Sequence, residues 1–168
     1  MIILGIDPGI ATTGYGIVRK DGPRLAALDH GVILTSPRDE PPARLLAVHA
    51  RLSTLFDEHK PDIVVTERLF FAKNEKTAFG VGRTIGVILL LAAQRGVAWT
   101  EYTPAEVKQA VVGYGGAEKH QMQYMIQRIL ALPAMPKPDD AADALAVAVC
   151  HAHSARPLYT PEPSATNG

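Results

Sequence analysis

Residues 2–7, with the sequence IILGID, form a short apolar run that ends in an acid and is followed directly by Pro8-Gly9. Apolar, β-branched residues that stop at a turn signal are typical of a buried strand. The turn leaves the Asp7 carboxylate at the carboxyl end of that strand, where α/β sheets hold their functional sites. This stretch therefore predicts a buried strand and a candidate functional acid together.

The segments that follow predict a mixture of strands and helices. Residues 13–19 and 25–34 read as two more strands, which a turn containing glycine and proline joins into a meander of hairpins. Thr103 and Glu106 form a capping box with Pro104 at the first helical position. Apolar spacing predicts further strands over 62–67 and 97–102, and helices over 43–59, 77–94, 104 to the glycine-rich turn at 113–116, 117–130 and 139–154. Hairpins followed by alternating helices and strands imply an α/β fold with a mixed sheet and helices on its faces.

Length and composition narrow the class of protein. With 168 residues, of which 47% are hydrophobic, the chain suits one domain, predicted over residues 1–154, while the proline-rich residues 155–168 predict a disordered tail. The single cysteine, Cys150, excludes an intramolecular disulfide and a zinc site built on paired cysteines. The amino terminus has no basic leader, and the longest apolar run, at 87–93, is too short to cross a bilayer. We expect a cytoplasmic protein without a membrane span.

Charge is balanced overall but not along the chain. Seventeen basic and seventeen acidic residues give a net charge of zero, which argues against a protein that simply coats nucleic acid. Residues 68–120 nevertheless contain seven Lys and Arg against four Asp and Glu. This segment is the best candidate for phosphate contacts, although such an imbalance also fits ordinary solvated surface.

Three further acids occupy positions that resemble that of Asp7. Glu67 ends the predicted strand at 62–67, and Asp140 and Asp143 lie three residues apart in the first turn of the last helix, hence on one face. Each has an ordinary alternative explanation, because acids at strand ends face water and acids at a helix amino terminus favour the helix dipole.

Taken together, the four acids point to metal chemistry. If the two strands are neighbours and the last helix crosses them, four carboxylates converge and need protons or cations. Oxygen ligands suit Mg²⁺ or Mn²⁺, and no cluster of His and Cys competes for zinc. Two such ions held close together promote phosphodiester hydrolysis, so the pattern predicts a nuclease.

Four stretches resemble, in the same order, the successive motifs of the RuvC family of crossover (Holliday) junction endonucleases. They are ILGIDPGIATTGYGIV at 3–18, TERLFFAKN at 66–74, VKQAVVGYGGAEK at 107–119 and DAADALAVAVCHAH at 140–153. The resemblance covers about residues 1–153 and implies a ribonuclease H-like fold, a mixed five-stranded sheet flanked by helices. It also implies two Mg²⁺ ions per subunit, replaceable by Mn²⁺, on the metal ligands Asp7, Glu67, Asp140 and Asp143. Asp140 rather than Asp139 matches the first acid of the D-A-A-D pattern, which leaves Asp139 as the expected helix cap.

The resemblance also indicates which residues face DNA. Phe70 is expected to probe unpaired bases at the junction, with Phe71 left to the core, although both rings could simply cover the core. Lys119 is expected to be catalytic, because a lysine near the scissile phosphate offsets developing negative charge, and to contact DNA as well. The remaining expected DNA contacts are Lys108, Lys73 and Arg83, with Lys76 ranked lower. Of the two histidines in the last helix, one is expected to face the core and the other water, with no catalytic role.

The expected activity is resolution of a four-way junction by paired symmetric nicks, in recombination and DNA repair. A homodimer is predicted because two strands must be cut symmetrically and because Gly80, Gly82 and Gly86 suggest a helix-to-helix interface. The resemblance implies the RuvA–RuvB branch-migration complex as partner and action on the bacterial nucleoid. Alternatives are another ribonuclease H-like nuclease for RNA–DNA hybrid or branched DNA, an actin-like ATPase suggested by residues 7–14, and a DNA-binding dimer without an active site.

Overall fold

The computed structural model describes residues 1–68 and 75–154, and for residues 75–77 the backbone alone. Phe70, Lys73 and the predicted tail at 155–168 lie outside the described residues, so the domain limit at 154 stays a prediction. The elements follow one another as β1 (Ile2–Asp7), β2 (Thr12–Asp21), β3 (Arg24–Leu34), α1 (Pro41–His59), β4 (Ile63–Glu67), α2 (Glu75–Gln94), β5 (Ala98–Tyr102), α3 (Pro104–Val112), α4 (Lys119–Ile129) and α5 (Asp139–His153).

The strands form the predicted mixed five-stranded sheet, and their order is β3-β2-β1-β4-β5. β1 pairs antiparallel with β2 and parallel with β4, while β2–β3 is antiparallel and β4–β5 parallel. β1 lies in the middle of the sheet because both of its faces are apolar. Its residues Ile3, Leu4 and Ile6 are fully buried there. The parallel register of Ile6 with Thr66 brings the next residues, Asp7 and Glu67, to the same edge.

Helices cover both faces of the sheet, and the alternation of side chains assigns each residue to one of them. Leu4 and Ile6 of β1 belong to a core that includes Leu52 of α1 and Ile88 of α2. Ile3 faces the opposite way, into a core built with α3, α4 and α5. Gly5 and Asp7 follow Ile3 at two-residue steps, so Asp7 shares the face of the sheet that α5 covers.

α5 lies directly on β1 and β2 because the facing strand residues are glycines. In the β1–β2 register Gly5 opposes Gly16 and Asp7 opposes Gly14. A Cβ on Gly5 would lie 2.1 Å from the Ala144 carbonyl oxygen, and one on Gly14 would lie 2.0 Å from that of Asp140. Only glycine permits this approach, which brings the first turn of α5 to the edge of the sheet that holds Asp7.

The Thr103–Glu106 capping box is present, with Glu106 N donating to Thr103 Oγ1 at 3.2 Å. Within residues 1–68 and 75–154, no second backbone approaches the glycines of α2 closely enough to explain them. A Cβ on Gly80 would meet the Ile10 side chain at 3.0 Å, and Gly82 and Gly86 face open space. No helix in the described part of the chain is long and apolar enough to cross a membrane.

Candidate active site

Asp7 and Glu67 end neighbouring parallel strands and lie on the same side of the sheet. Glu67 follows Val65, a residue of the core beneath α5, and it pairs in register with Tyr102 of β5. The sequence-based expectation that these two strands are adjacent is therefore correct. Both carboxylates are partly buried, which limits their access to water.

The loop after Asp7 is held by hydrogen bonds that the sequence did not predict. Thr13 Oγ1 donates to the Gly9 carbonyl oxygen at 2.5 Å. The Ile10 carbonyl oxygen accepts from Arg44 Nη2 at 3.1 Å and also from the Thr35 hydroxyl. Arg44 Nε in turn donates to Thr35 Oγ1 at 2.8 Å, so α1 anchors the turn that directs the chain away from Asp7. A single arginine in an amphipathic helix carries no local signal of this contact.

Asp140 and Asp143 approach the same edge from α5. The Asp140 carbonyl oxygen contacts Gly14, the residue that opposes Asp7 across β1 and β2. Asp143 comes one turn later and is partly buried. The helix thus brings both acids over the end of the sheet, as the spacing of three residues had suggested.

Electrostatic coupling indicates that the four carboxylates lie close together. Burial first, and then the charges of Asp143, Asp140 and Glu67 in that order, raise the pKa of Asp7 to about 7, against a smaller lowering by Lys119. Burial also raises the pKa of Glu67 and that of Asp143, with the charge of Asp143 adding to the rise at Glu67. The edge of the sheet therefore carries more negative charge than its surroundings can neutralise.

Two lysines partly offset this charge. Lys119 begins α4, and its Nζ lies 3.5 Å from Asp143 Oδ2 and 3.0 Å from Asp139 Oδ2. The positive charge of Lys108 opposes the rise in the pKa of Glu67. Both lysines line a cavity of about 260 Å³, whose walls also include Glu67, Asp143, Pro104, Val107, Met122 and Ala146.

Asp139 differs from its expected role. The amino-terminal cap of α5 is Pro138, without a side-chain hydrogen bond, so the prediction that Asp139 caps this helix is wrong. Asp139 is the first residue of the helix, and its Oδ1 accepts a hydrogen bond from Gln123 Nε2 at 2.8 Å. Proline at the cap position has no side-chain acceptor, whereas α4 offers two donors to the neighbouring acid.

The remaining predicted residues lie elsewhere. Arg83 is exposed on α2, and its contact with DNA stays a prediction. His151 is buried with Nδ1 at 2.8 Å from the Tyr102 hydroxyl, whereas His153 is exposed, as expected for one histidine in the core and one facing water. Phe70 and Lys73 belong to the segment outside the described residues.

The chemistry of the donor set fits a divalent cation that prefers oxygen. Asp7, Glu67, Asp140 and Asp143 offer carboxylate oxygens only, and their mutual repulsion would be relieved by Mg²⁺ or Mn²⁺. Within residues 1–68 and 75–154, no three His, Cys, Asp or Glu side chains form a ready-made ligand cage.

Comparison with known proteins supports the resemblance seen in the sequence. The model of the family "Crossover junction endodeoxyribonuclease RuvC" matches residues 3–151. A relative with that name from Syntrophomonas wolfei is 52% identical over 166 residues, which cover 99% of this chain and 96% of the relative.

Solved structures agree in fold. "T. thermophilus RuvC in complex with Holliday junction substrate" aligns with a TM-score of 0.87 and 37% identity, over 91% of this chain and 93% of that one. The yeast mitochondrial Holliday junction resolvase, at 15% identity and a TM-score of 0.63, covers 90% of this chain and 78% of its own, and shares the fold. With the family model matching almost the whole described chain, this protein belongs to the RuvC family of crossover junction endodeoxyribonucleases.

Proposed function

We propose that this protein resolves Holliday junctions by metal-dependent phosphodiester hydrolysis at the edge formed by β1, β4 and α5. The observation that carries the proposal is the coupling of Asp7 with Asp143, Asp140 and Glu67, all gathered at one edge of a RuvC-family fold. Mutual repulsion of this kind favours a bound cation over a purely structural role. The solved relative from T. thermophilus is a complex with a Holliday junction substrate, which supports the choice of substrate.

Asp7, Glu67, Asp140 and Asp143 are the proposed metal ligands, and two Mg²⁺ ions per subunit, with Mn²⁺ as a substitute, are the proposed cofactors. Such ions, when bound, supply Lewis-acid activation of water and charge stabilisation of the leaving oxygen. The partial burial of the acids strengthens their interaction with a cation, because a low dielectric increases Coulomb energies. Each acid would supply a negatively charged oxygen ligand to the same metal site.

Lys119 and Lys108 have complementary proposed roles in the cavity. Lys119, with its ammonium 3.5 Å from Asp143, would offset negative charge that develops on the phosphate during cleavage. Lys108 lines the same cavity beside Glu67 and would reduce the repulsion between the carboxylates and a DNA phosphate. The apolar walls of Val107 and Met122 would limit water around these charges.

The segment after β4 is the proposed junction probe. The chain leaves the site through Arg68, whose N donates to the Tyr102 carbonyl oxygen at 2.7 Å and whose Nε donates to Glu101 Oε1 at 2.7 Å. These bonds fix the start of the segment beside Glu67. Phe70 and Lys73 follow within a few residues in the sequence, and their proposed roles are stacking of the ring on an unpaired base and contact of the cation with phosphate.

A homodimer is the proposed assembly, with α2 in its interface. Phe79 and Leu90 are 69% and 57% exposed on this helix, and Gly82 and Gly86 face open space, so an apolar, close-packing surface is available to a second copy. Arg83 lies on the same helix as a proposed DNA contact. Light scattering should report a dimer at micromolar concentration, and a stable monomer with junction DNA present would contradict this assembly.

A dimer would nick two strands of like polarity and leave 5′-phosphate and 3′-hydroxyl ends. DNA ligase should reseal the products, and ends that ligase cannot join would contradict this outcome. The RuvA–RuvB branch-migration complex is the partner that the family resemblance suggests. Action on nucleoid DNA in the bacterial cytoplasm follows from that substrate.

The decisive experiment compares nicking of three substrates of equal length in Mg²⁺ and in chelator. The four-way junction should be cut in paired, symmetric positions, while linear duplex and RNA–DNA hybrid should remain intact. Preferential cutting of the hybrid would favour a different ribonuclease H-like nuclease. Equal cutting in chelator would contradict the metal site.

A further inference from the structure

A polar bridge connects α4 to α5 at the mouth of the cavity. Lys119 and Gln123 are four residues apart on α4 and therefore lie on one side of the helix. Lys119 Nζ is 3.0 Å from Asp139 Oδ2, and Gln123 Nε2 donates to Asp139 Oδ1 at 2.8 Å. Both oxygens of the Asp139 carboxylate are thus occupied by donors from one neighbouring helix.

The bridge is a poor candidate for a stabilising contact. The side chains of Lys119 and Asp139 are 55% and 58% exposed, and exposed ion pairs contribute little to the free energy of unfolding. Its position is more informative, because the same ammonium group also lies 3.5 Å from Asp143. One lysine is therefore shared between a proposed metal ligand and an acid that lies outside the proposed ligand set.

A cation held by Asp143 would weaken the contact of that carboxylate with Lys119. It would repel the ammonium group and would compete with it for the Asp143 oxygens. Asp139 would then remain as the partner that retains the ammonium at the cavity. Gln123 donates to the other oxygen of the Asp139 carboxylate and so fixes its orientation. The partner of Lys119 is therefore held in one position.

We propose that Asp139, oriented by Gln123, is a positioning residue that holds Lys119 at the cleavage site once Asp143 is engaged by metal. The inference rests on the proposed catalytic role of Lys119. Electrostatics agree with a separate role for Asp139. Its pKa is lowered, by Lys119 first and by Gln123 next, whereas burial raises the pKa of Asp143 and of Asp7.

The test is a double-mutant cycle in single-turnover cleavage of a four-way junction. Asp139→Ala should slow cleavage about 10-fold, in the range found for residues that orient a catalytic group. Lys119→Ala should slow it at least as much, and the double variant should be no slower than Lys119→Ala alone, because the two residues act through one group. The Mg²⁺ concentration for half-maximal rate and the junction Kd should stay at wild-type values.

Two companion variants separate positioning from general damage. Asp139→Asn keeps an oxygen that can accept from Lys119, so it should recover part of the rate that the alanine variant loses. Asp57→Ala removes an acid of similar exposure, 66% against 58% for Asp139, which pairs with Arg95 at a different place, and this variant should cleave at the wild-type rate. Melting temperatures of the Asp139 and Asp57 variants should be alike.

Specific outcomes overturn the inference. A raised Mg²⁺ requirement in Asp139→Ala would make this residue a metal ligand, and additive losses in the double variant would show that it acts independently of Lys119. A wild-type rate for Asp139→Ala, in an enzyme that Asp7→Asn inactivates, would remove the positioning role and leave the proposed function intact. A wild-type rate for Lys119→Ala would remove the proposed role of the lysine as well.

Discussion

Replacing Gly14 by alanine tests whether backbone contact between α5 and the sheet positions the carboxylates. The added Cβ would lie 2.0 Å from the Asp140 carbonyl oxygen, whereas real contacts of this kind essentially never fall below 3.0 Å. The neighbour is backbone and cannot rotate away. The first turn of α5 and the end of β2 therefore have to separate by about 1 Å, the difference between those two distances.

This displacement should affect the cleavage rate much more than it affects stability. Overpacking of a well-packed interior costs about 1–3 kcal/mol, which lowers the melting temperature by about 2–4 °C for each kcal/mol in a chain of this length. The same movement carries Asp140 and Asp143 away from Asp7. Misplacement of catalytic groups by about 1 Å lowers rates on the order of 100-fold. We expect Gly14→Ala to remain folded, to bind the junction and to cleave it about 100 times more slowly.

The assay is single-turnover cleavage in Mg²⁺ beside gel binding in chelator, both well below the melting transition. Val48→Ala is the matched control, because it removes two methyl groups from a fully buried side chain of α1 on the opposite face of the sheet. It should lose a similar amount of stability, about 1–3 kcal/mol, and keep its rate. Cleavage by folded Gly14→Ala at the Val48→Ala rate would refute the argument that this contact sets the site geometry.

Three further predictions concern Asp7 and Phe70. Asp7→Asn should abolish cleavage and leave junction binding in chelator intact or slightly tighter, because the amide coordinates Mg²⁺ weakly and removes one charge that repels phosphate. Without metal, the native pKa of Asp7 near 7 exceeds its ordinary value of 3.8, so stability falls as pH rises between these values. The melting temperature of Asp7→Asn should therefore exceed that of the wild type by more at pH 8 than at pH 5, and an equal gap at both would contradict the burial of this carboxyl group. Phe70→Ala should slow cleavage much more than it weakens binding, and equal losses in the two assays would mark Phe70 as a core residue.

The sequence predicted those parts of the site that depend on local pattern. An apolar run stopped by a turn signal located the end of β1, and a short β-branched run located that of β4, hence Asp7 and Glu67. Helical spacing located Asp140 and Asp143 on one face of α5. The predicted beginning of α2, at residue 77, is two residues later than the observed one at Glu75, a difference of the size that is usual at helix ends.

Contacts between distant residues were not predictable in the same way. The reason for the glycines at positions 5, 14 and 16 is visible only when α5 lies against them, and the contacting residues are more than a hundred positions apart in the sequence. Asp139 resembled a helix cap because it precedes the D-A-A-D pattern, and its actual partners come from another helix. Local sequence carries information on which residues end an element, whereas the partner of an exposed acid depends on how whole helices pack.

The packing of α5 against the sheet offsets the electrostatic repulsion between the acids of the site. Gathering Asp7 with three other acids is unfavourable in the metal-free protein, since burial and repulsion raise its pKa to about 7. A loosely packed helix would respond by moving its amino terminus away from the sheet. α5 is held instead by backbone contact on glycines and by fully buried residues such as Leu145 and Val149, and that apolar packing offsets the repulsion. A cation that binds the gathered oxygens would relieve the repulsion and stabilise the folded state by an amount that grows with the logarithm of its affinity. The packing of the core and the affinity for metal are therefore coupled through the same helix.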